Sequence, residues 1–300
     1  MSSPMETNTM WQLCKKNDFK GLVTAILNDE ALYLQISALL LHQNKFRYPK
    51  KETRLLAFLK DSKNQITAIA LCSASGELYQ CYKKQISLEA FSELLQLQIK
   101  SYGIITTLVC RPTLPKDLYS FFYNYLKEKG LTFYRQKYYF MSAPSSNFPR
   151  REDYPNWFTI SYNHKKNLQE LYSLHGAYLQ EEVYLHKRLS FNQAISISPL
   201  LLKDQLVAGA YYQNRLVAKV NTNLKGLNIV QLGGIYTKAE ARKRGIATHL
   251  LNAISSRLSS YYPQVALFVR QENSKAINLY QKVGFCIIGD LEIYYIEKSY

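Results

Sequence analysis

Gln231-Leu-Gly-Gly-Ile-Tyr-Thr237 and, four residues on, Arg242-Lys-Arg-Gly-Ile-Ala247 carry the strongest structural signal in the chain. The first segment ends a strand, Asn228 to Tyr236, and the second opens a helix, Gly245 to Ser260. A glycine turn at a helix amino terminus suits phosphate. Free N–H groups point out of the first helical turn, the helix dipole adds positive potential, and Gly245 permits an approach that a side chain would obstruct. Thr248 adds a hydroxyl, and Arg242, Lys243 and Arg244 add charge-assisted contacts. By itself the pattern also describes a basic helix cap, so the flanking segments decide between the two.

Downstream, Val265 to Val269 reads as a strand, and Asn273-x-x-Ala276-x-x-Leu279-Tyr280-x-x-x-Gly284-Phe285 spans a helix from Ser274 to Lys282 closed by Gly284. Strands Phe285 to Ile288 and Ile293 to Ile296 come next. Upstream, Trp157 to Tyr162 alternates like a strand, and Asn167 to Leu189 carries a helical pattern long enough to bend into two helices. Val207 to Tyr212, the turn Gln213-Asn214, Arg215 to Val220, the turn Leu224-Lys225-Gly226 and Asn228 to Tyr236 read as a three-stranded meander. The predicted class is α/β with a mixed sheet.

The loop and the Asn273 to Phe285 pattern, in this order of elements, resemble the GNAT superfamily of N-acetyltransferases over roughly residues 157 to 297. The resemblance implies acetyl-CoA as co-substrate, a primary amine as acceptor and no metal. By the same analogy Gly234, Ile235 and Tyr236 offer main-chain groups to the pantetheine arm. Arg242, Lys243, Arg244, Gly245, Ile246, Ala247 and Thr248 hold the pyrophosphate, and Asn273 contacts the pantetheine while also able to cap its helix. Tyr280 matches the tyrosine that protonates the departing thiolate, although an apolar helix face carrying Ala276, Ile277 and Leu279 would equally hold a packing tyrosine. One departure stands out: the strand Asn228 to Tyr236 carries no carboxylate, so the usual place for a general base is empty. Glu182 and its neighbour Glu181 become candidates, Glu182 sharing a helix face with Tyr178, beside the plainer reading of solvated helix charges. His175 and His186 are further groups whose ordinary pKa lies near neutrality.

The first half is less explicit. Its apolar runs predict a helix in Leu32 to Phe46, strands at Leu55 to Leu59 and Ile66 to Leu71, a helix from Leu88 to Ile99 capped by Ser87, and a strand from Ile104 to Val109. A helix from Leu118 to Glu128 and an aromatic strand from Leu131 to Met141 complete it. This αββαβαβ order, without a phosphate loop, resembles a degraded GNAT half. The proline-bearing stretch Ser142 to Pro155 reads as a linker, giving domains 1–145 and 157–300 around a 146–156 connection. A role in walling the acceptor site or in holding a macromolecular substrate is open to the first domain. The strand Phe133-Tyr-Arg-Gln-Lys-Tyr-Tyr-Phe140 has the mixture of rings and cations that suits single-stranded nucleic acid, and equally that of a half-buried strand.

The formal net charge of +16 favours anionic partners, but it is shared between both halves rather than gathered in a stripe, so a nucleic-acid face is not expected. The five cysteines are scattered without close-pair spacing, which excludes a disulfide framework and a zinc site from the reading. No signal peptide and no membrane span are expected, and the scattered cysteines make a reducing cytoplasm the expected compartment. The sequence leaves the acceptor and the oligomeric state open. A coenzyme-binding sensor or adaptor without turnover is the alternative to catalysis, favoured by the missing strand carboxylate. An aminoacyl-tRNA-dependent transferase is a third reading, which would not need the intact coenzyme loop.

Overall fold

The computed structural model describes residues 10–44, 53–102, 105–148, 155–162, 164, 167–184 and 189–299. The chain divides into two compact units, one of residues 1–139 with 289–300 and one of residues 140–288. This differs from the expected boundary at 146–156 at both ends. Residues 142–144 continue a strand instead of starting a linker, and residues 289–300 belong with the first unit. Residues 149–154 of the expected linker lie outside the described residues.

The first unit runs β1 (Gln12–Leu13), α1 (Phe19–Asn28), α2 (Glu30–Asn44), β2 (Thr53–Lys60), β3 (Ile66–Ser73), β4 (Glu77–Tyr82), α3 (Leu88–Tyr102), β5 (Thr107–Arg111), α4 (Lys116–Glu128) and β6 (Leu131–Pro144). The second begins with β7 (Thr159–Ser161), α5 (Leu168–Tyr178), a π-helical turn (Leu179–Val183) and α6 (Phe191–Leu202). It continues with β8 (Val207–Tyr212), β9 (Arg215–Lys225), β10 (Ile229–Thr237), α7 (Ile246–Leu258), β11 (Gln264–Arg270) and α8 (Ser274–Val283), after which β12 (Cys286–Lys298) runs from the second unit into the first. Leaving single turns aside, both halves of the sequence share one order: strand, two helices, three strands, helix, strand, helix, strand. The pairings repeat as well. β1 to β4 are antiparallel neighbours and β4 lies parallel to β5; β7 to β10 are antiparallel neighbours and β10 lies parallel to β11.

The structure adds elements that the sequence patterns do not announce. β1 is two residues long, and β4 is rich in polar residues. α6 carries Pro199 and small residues that blur its helical period, yet a Ser190–Gln193 capping box starts it. The two terminal strands expected after Gly284 are one strand, β12, continuous through Gly289.

In the first unit β12 takes the place between β5 and β6, with Glu292 to Tyr295 registered against Cys110 to Thr107. Tyr294 is fully buried there, with its ring 5.1 Å from that of Phe133 and 5.4 Å from that of Phe122. The carboxylate of Glu292 is also buried, and it accepts from the Leu114 N–H at 3.2 Å and from the Tyr294 hydroxyl. The aromatic strand thus points Phe133 into the core, while its cations Arg135 and Lys137 lie 3.9 and 3.4 Å from Glu292. These are the contacts of a half-buried strand.

Because a core ring and a buried acceptor both sit on the last strand, the final residues should be indispensable to the first unit. Tyr294→Ala is expected to lower the unfolding free energy by about 3–5 kcal/mol, measured by denaturant titration. Truncation after Ile288 should abolish protease resistance of residues 10–139.

Candidate active site

Lys243 (φ 62°) and Gly245 (φ 76°) both take the left-handed conformation, which turns the chain out of a short 3-10 turn (Ala239–Ala241) into α7. Gly245 is the N-cap of α7 and no side chain caps the helix. The first-turn N–H groups of Ile246, Ala247 and Thr248 therefore have no side-chain acceptor at the cap, and the space above the turn is open: a Cβ built on Gly245 has His249 as its nearest neighbour, at 3.9 Å. Glycine is needed here for its φ, and the open face suits an anion. Arg244 holds its guanidinium over the rings of Trp157 and Tyr212, 5.9 and 5.7 Å away. Arg242 is committed differently. Its Nη2 donates to both oxygens of Glu181 at 2.7 and 2.9 Å and its Nε to the Thr237 carbonyl at 2.9 Å, so it braces the loop against the π-helical turn.

The strand before the loop supplies the second feature. β10 and β11 pair from Ile229↔Gln264 to Leu232↔Leu267 and then stop, although β10 continues to Thr237 and β11 to Arg270. Against β9 the register breaks between Gly233↔Asn221 and Tyr236↔Lys219, leaving Gly234 and Ile235 without a register partner on either side. Such a bulge exposes main-chain groups where two strands splay. Asn273 caps α8, its Oδ1 accepting from the Ala276 N–H at 3.1 Å, and its amide NH2 makes no hydrogen bond among the described residues.

Tyr280, one turn before the Gly284 stop of α8, is buried, and its hydroxyl makes no hydrogen bond among the described residues. Burial, then Tyr178 and Glu182, push the phenol well above its ordinary range, so it carries its proton at any ordinary pH. The carboxylates of the π-helical turn are both engaged. Glu181 accepts from the Tyr236 hydroxyl at 2.8 Å as well as from Arg242, and Glu182 Oε2 accepts from Arg270 Nη2 at 2.5 Å. Burial and Glu181 together push Tyr236 up to about 12.

Residues 168–285 match the sequence profile of the Acetyltransferase (GNAT) family. They are a GNAT acetyltransferase domain. The fold of the chain also resembles solved structures at low identity. The X-ray structure of a Drosophila protein aligns at TM-score 0.65 and 11% identity over 98% of this chain and 100% of that one. A GCN5-related N-acetyltransferase from Sphaerobacter thermophilus aligns at 0.57 and 14%, over 98% and 96%. A tandem GNAT protein from the clavulanic acid biosynthesis pathway aligns at 0.51 and 10%, over 98% and 99%. Identities of this size speak for the fold, and the fold is a tandem of GNAT-like units. No curated protein matches the sequence.

Among the described residues, the parallel strand pair parts well before its strands end in the second unit only. In the first unit β4 stays paired with β5 from Glu77↔Thr107 to Cys81↔Arg111, one residue short of its end, so the strands do not splay. Among the described residues no group of three or more His, Cys, Asp or Glu could hold a metal ion, and no helix is long and apolar enough to cross a membrane.

His175 does not behave as its residue type suggests. It is buried against the sheet, and neither ring nitrogen finds a partner among the described residues. Burial and then the nearby Lys219 push its pKa down to about 2, which removes it as a base titrating near neutrality. His186 lies outside the described residues. Lys219 itself is the residue that pattern reading passes over. It is fully buried, and burial pushes its amine well below the usual lysine range. Its Nζ donates to Asn221 Oδ1 and to the Gly234 carbonyl, both at 2.8 Å, and stands 5.0 Å from the Tyr178 ring centroid. A lysine in the middle of Leu216-Val-Ala-Lys-Val220 is the signal that was available, since lysine is almost never fully buried without partners.

The neutral His175 has a consequence for stability. Its folded pKa lies below the unfolded value near 6.5, so the unfolded chain takes up a proton that the native chain refuses. The associated stability is complete above about pH 6.5 and falls with pH below it, by up to ~1.4 kcal/mol per unit. Denaturant titrations between pH 8 and 5 should show that His175→Leu loses one proton's worth of this slope; His164, lowered in the same direction by burial, remains in both proteins.

Proposed function

We propose that the second unit transfers an acetyl group from acetyl-CoA to a primary amine by direct attack in a ternary complex. The observation that carries this reading is the pairing of an uncapped, open helix amino terminus at Gly245 with a strand whose neighbour has splayed away from it. The residues present fit a nucleotide diphosphate and an extended amide-bearing arm. In this reading the N–H groups of Ile246, Ala247 and Thr248 receive the pyrophosphate, with Lys243 and Arg244 as supporting cations and Gly245 keeping the approach clear. Arg242 contributes by holding the loop in place through Glu181. Gly234, Ile235 and Tyr236 line the arm along the strand, and the Asn273 amide meets it from the far wall.

The bound donor supplies an activated thioester. Main-chain N–H groups at the bulge, on Ile235 and Tyr236, polarise its carbonyl, where donors fixed in advance act without reorganisation. As the C–N bond forms and the C–S bond breaks, the Tyr280 phenol gives its proton to the departing sulfur. The pocket keeps the phenol protonated, so the proton is present to be given. The amine proton goes to Glu182, whose Oε1 carries no bond among the described residues, directly or through water. Engagement of both Glu181 and Glu182 in ion pairs is also what favours the second reading, a coenzyme-binding sensor without turnover.

Titration calorimetry with acetyl-CoA tests the binding half, with saturable heat expected for the full chain and none for Gly245→Asp combined with Arg242→Glu. Release of the coenzyme thiol across a panel of amines tests the catalytic half. Tyr280→Phe should leave the dissociation constant unchanged and lower turnover about a hundredfold, the scale of one lost proton donor. Binding without thiol release for any amine would establish the sensor.

A further inference from the structure

The bulge at Gly234 raises a question that the acyltransferase reading leaves open: what decides which way the Gly234–Ile235 peptide faces. A peptide outside the hydrogen-bond ladder can turn over by paired rotations about the bonds flanking it, exchanging the directions of its carbonyl and its N–H. In a trans peptide those two groups point oppositely, so fixing one fixes the other. The Gly234 carbonyl accepts from Lys219 Nζ at 2.8 Å, and the same amine donates to Asn221 Oδ1 at 2.8 Å. Asn221 is held in turn, its Nδ2 donating to the Thr222 carbonyl at 2.7 Å, so its oxygen must face the amine. Burying an amine among apolar strand residues is costly unless its hydrogens are used, and both bonds made here are donated.

The fit around this contact leaves no slack. Gly234 has a φ of 57°, and a Cβ built on it would lie 2.1 Å from Asn221 Oδ1 and 2.3 Å from Lys219 Nζ. The amine accordingly reads the peptide: a carbonyl turned toward it completes its bonding, whereas a flipped peptide would take away the acceptor that one of its hydrogens now uses. The Tyr178 ring, 5.0 Å from Nζ, covers the amine.

We propose that Lys219 is a positioning residue of the acyl-transfer site, holding the Gly234 carbonyl inward so that the Ile235 N–H is presented to the thioester carbonyl. It touches neither substrate nor reacting atoms, and it acts through the peptide it orients. The inference rests on the acyltransferase reading of this site, and the experiment is arranged so that the two fail separately.

The test uses the full chain and acetyl-CoA labelled with carbon-13 at the thioester carbonyl, with isotope-edited infrared spectroscopy beside calorimetry. In the native protein the carbonyl band should move to lower frequency on binding, as it does when a fixed N–H polarises it. Lys219→Met, similar in length and without a donor, should keep affinity for acetyl-CoA and lose the band shift, with turnover falling about a hundredfold as for loss of an oxyanion donor. Lys219→Gln, which retains an N–H donor, should recover part of the shift. A band shift of native size in Lys219→Met overturns the positioning role, as does loss of shift and affinity together in both variants. Should Lys219→Met not fold, Asn221→Ala decides: a diminished shift supports the role and an unchanged shift overturns it. Absence of any binding heat in the native protein would instead remove the acyltransferase reading.

Discussion

Two parallel strands that part company midway leave main-chain donors and acceptors that something else must satisfy. In this chain the parting comes after Leu232↔Leu267, and the rest of the second unit is arranged around it. On the side of β9 the orphaned Gly234 carbonyl is met by the buried Lys219 amine. On the side of β11, Gly234 and Ile235 have no register partner, so the two strands part there. Buried main-chain groups are almost always bonded, so a lysine inside an apolar strand and a gap between two strands are two halves of one arrangement. The first unit shows the alternative. It has the same succession of elements, but β4 and β5 remain bonded to each other almost to the end of β4 and do not part. Sheet pairing over a few residues is thus what distinguishes the two units at this place in their shared order of elements.

The π-helical turn supplies the second constraint. By offsetting the helix after Tyr178 it places Glu181 and Glu182 toward different partners, Arg242 of the loop and Arg270 at the end of β11. The loop and the end of β11 are thereby tied to one short segment, and the phenol of Tyr236 joins the first of these ties. A regular helix would present successive glutamates about 100° apart on its surface, whereas π-turns recur where a side chain has to be re-aimed at a functional site.

The parts of this site that were legible in the sequence are those whose chemistry is local. Gly245 and Gly284 announce left-handed turns, Asn273 announces a cap, and the apolar residues Ile229, Val230 and Leu232 announce a strand. Each depends on neighbours within about one helical turn. The hidden parts depend on partners far along the chain. Lys219 reads as an ordinary polar strand position until Gly234 is folded against it, fifteen residues on. His175 reads as a titrating group until burial and Lys219 deny it a proton. β12 reads as two short strands because Gly289 and Asp290 look like a turn, and only its pairing with β5 makes it one. α6 is masked by Pro199 and by serines and isoleucines that alternate as a strand would.

The position of β12 also bears on how the protein is made. A chain emerging amino end first exposes β1 to β6 long before residues 289–299 leave the ribosome, yet β12 lies between β5 and β6. Of the two units, the one synthesised earlier is thus the later to close its sheet, and its central ladder must wait, with bonding edges bare, until residues 289–299 have emerged.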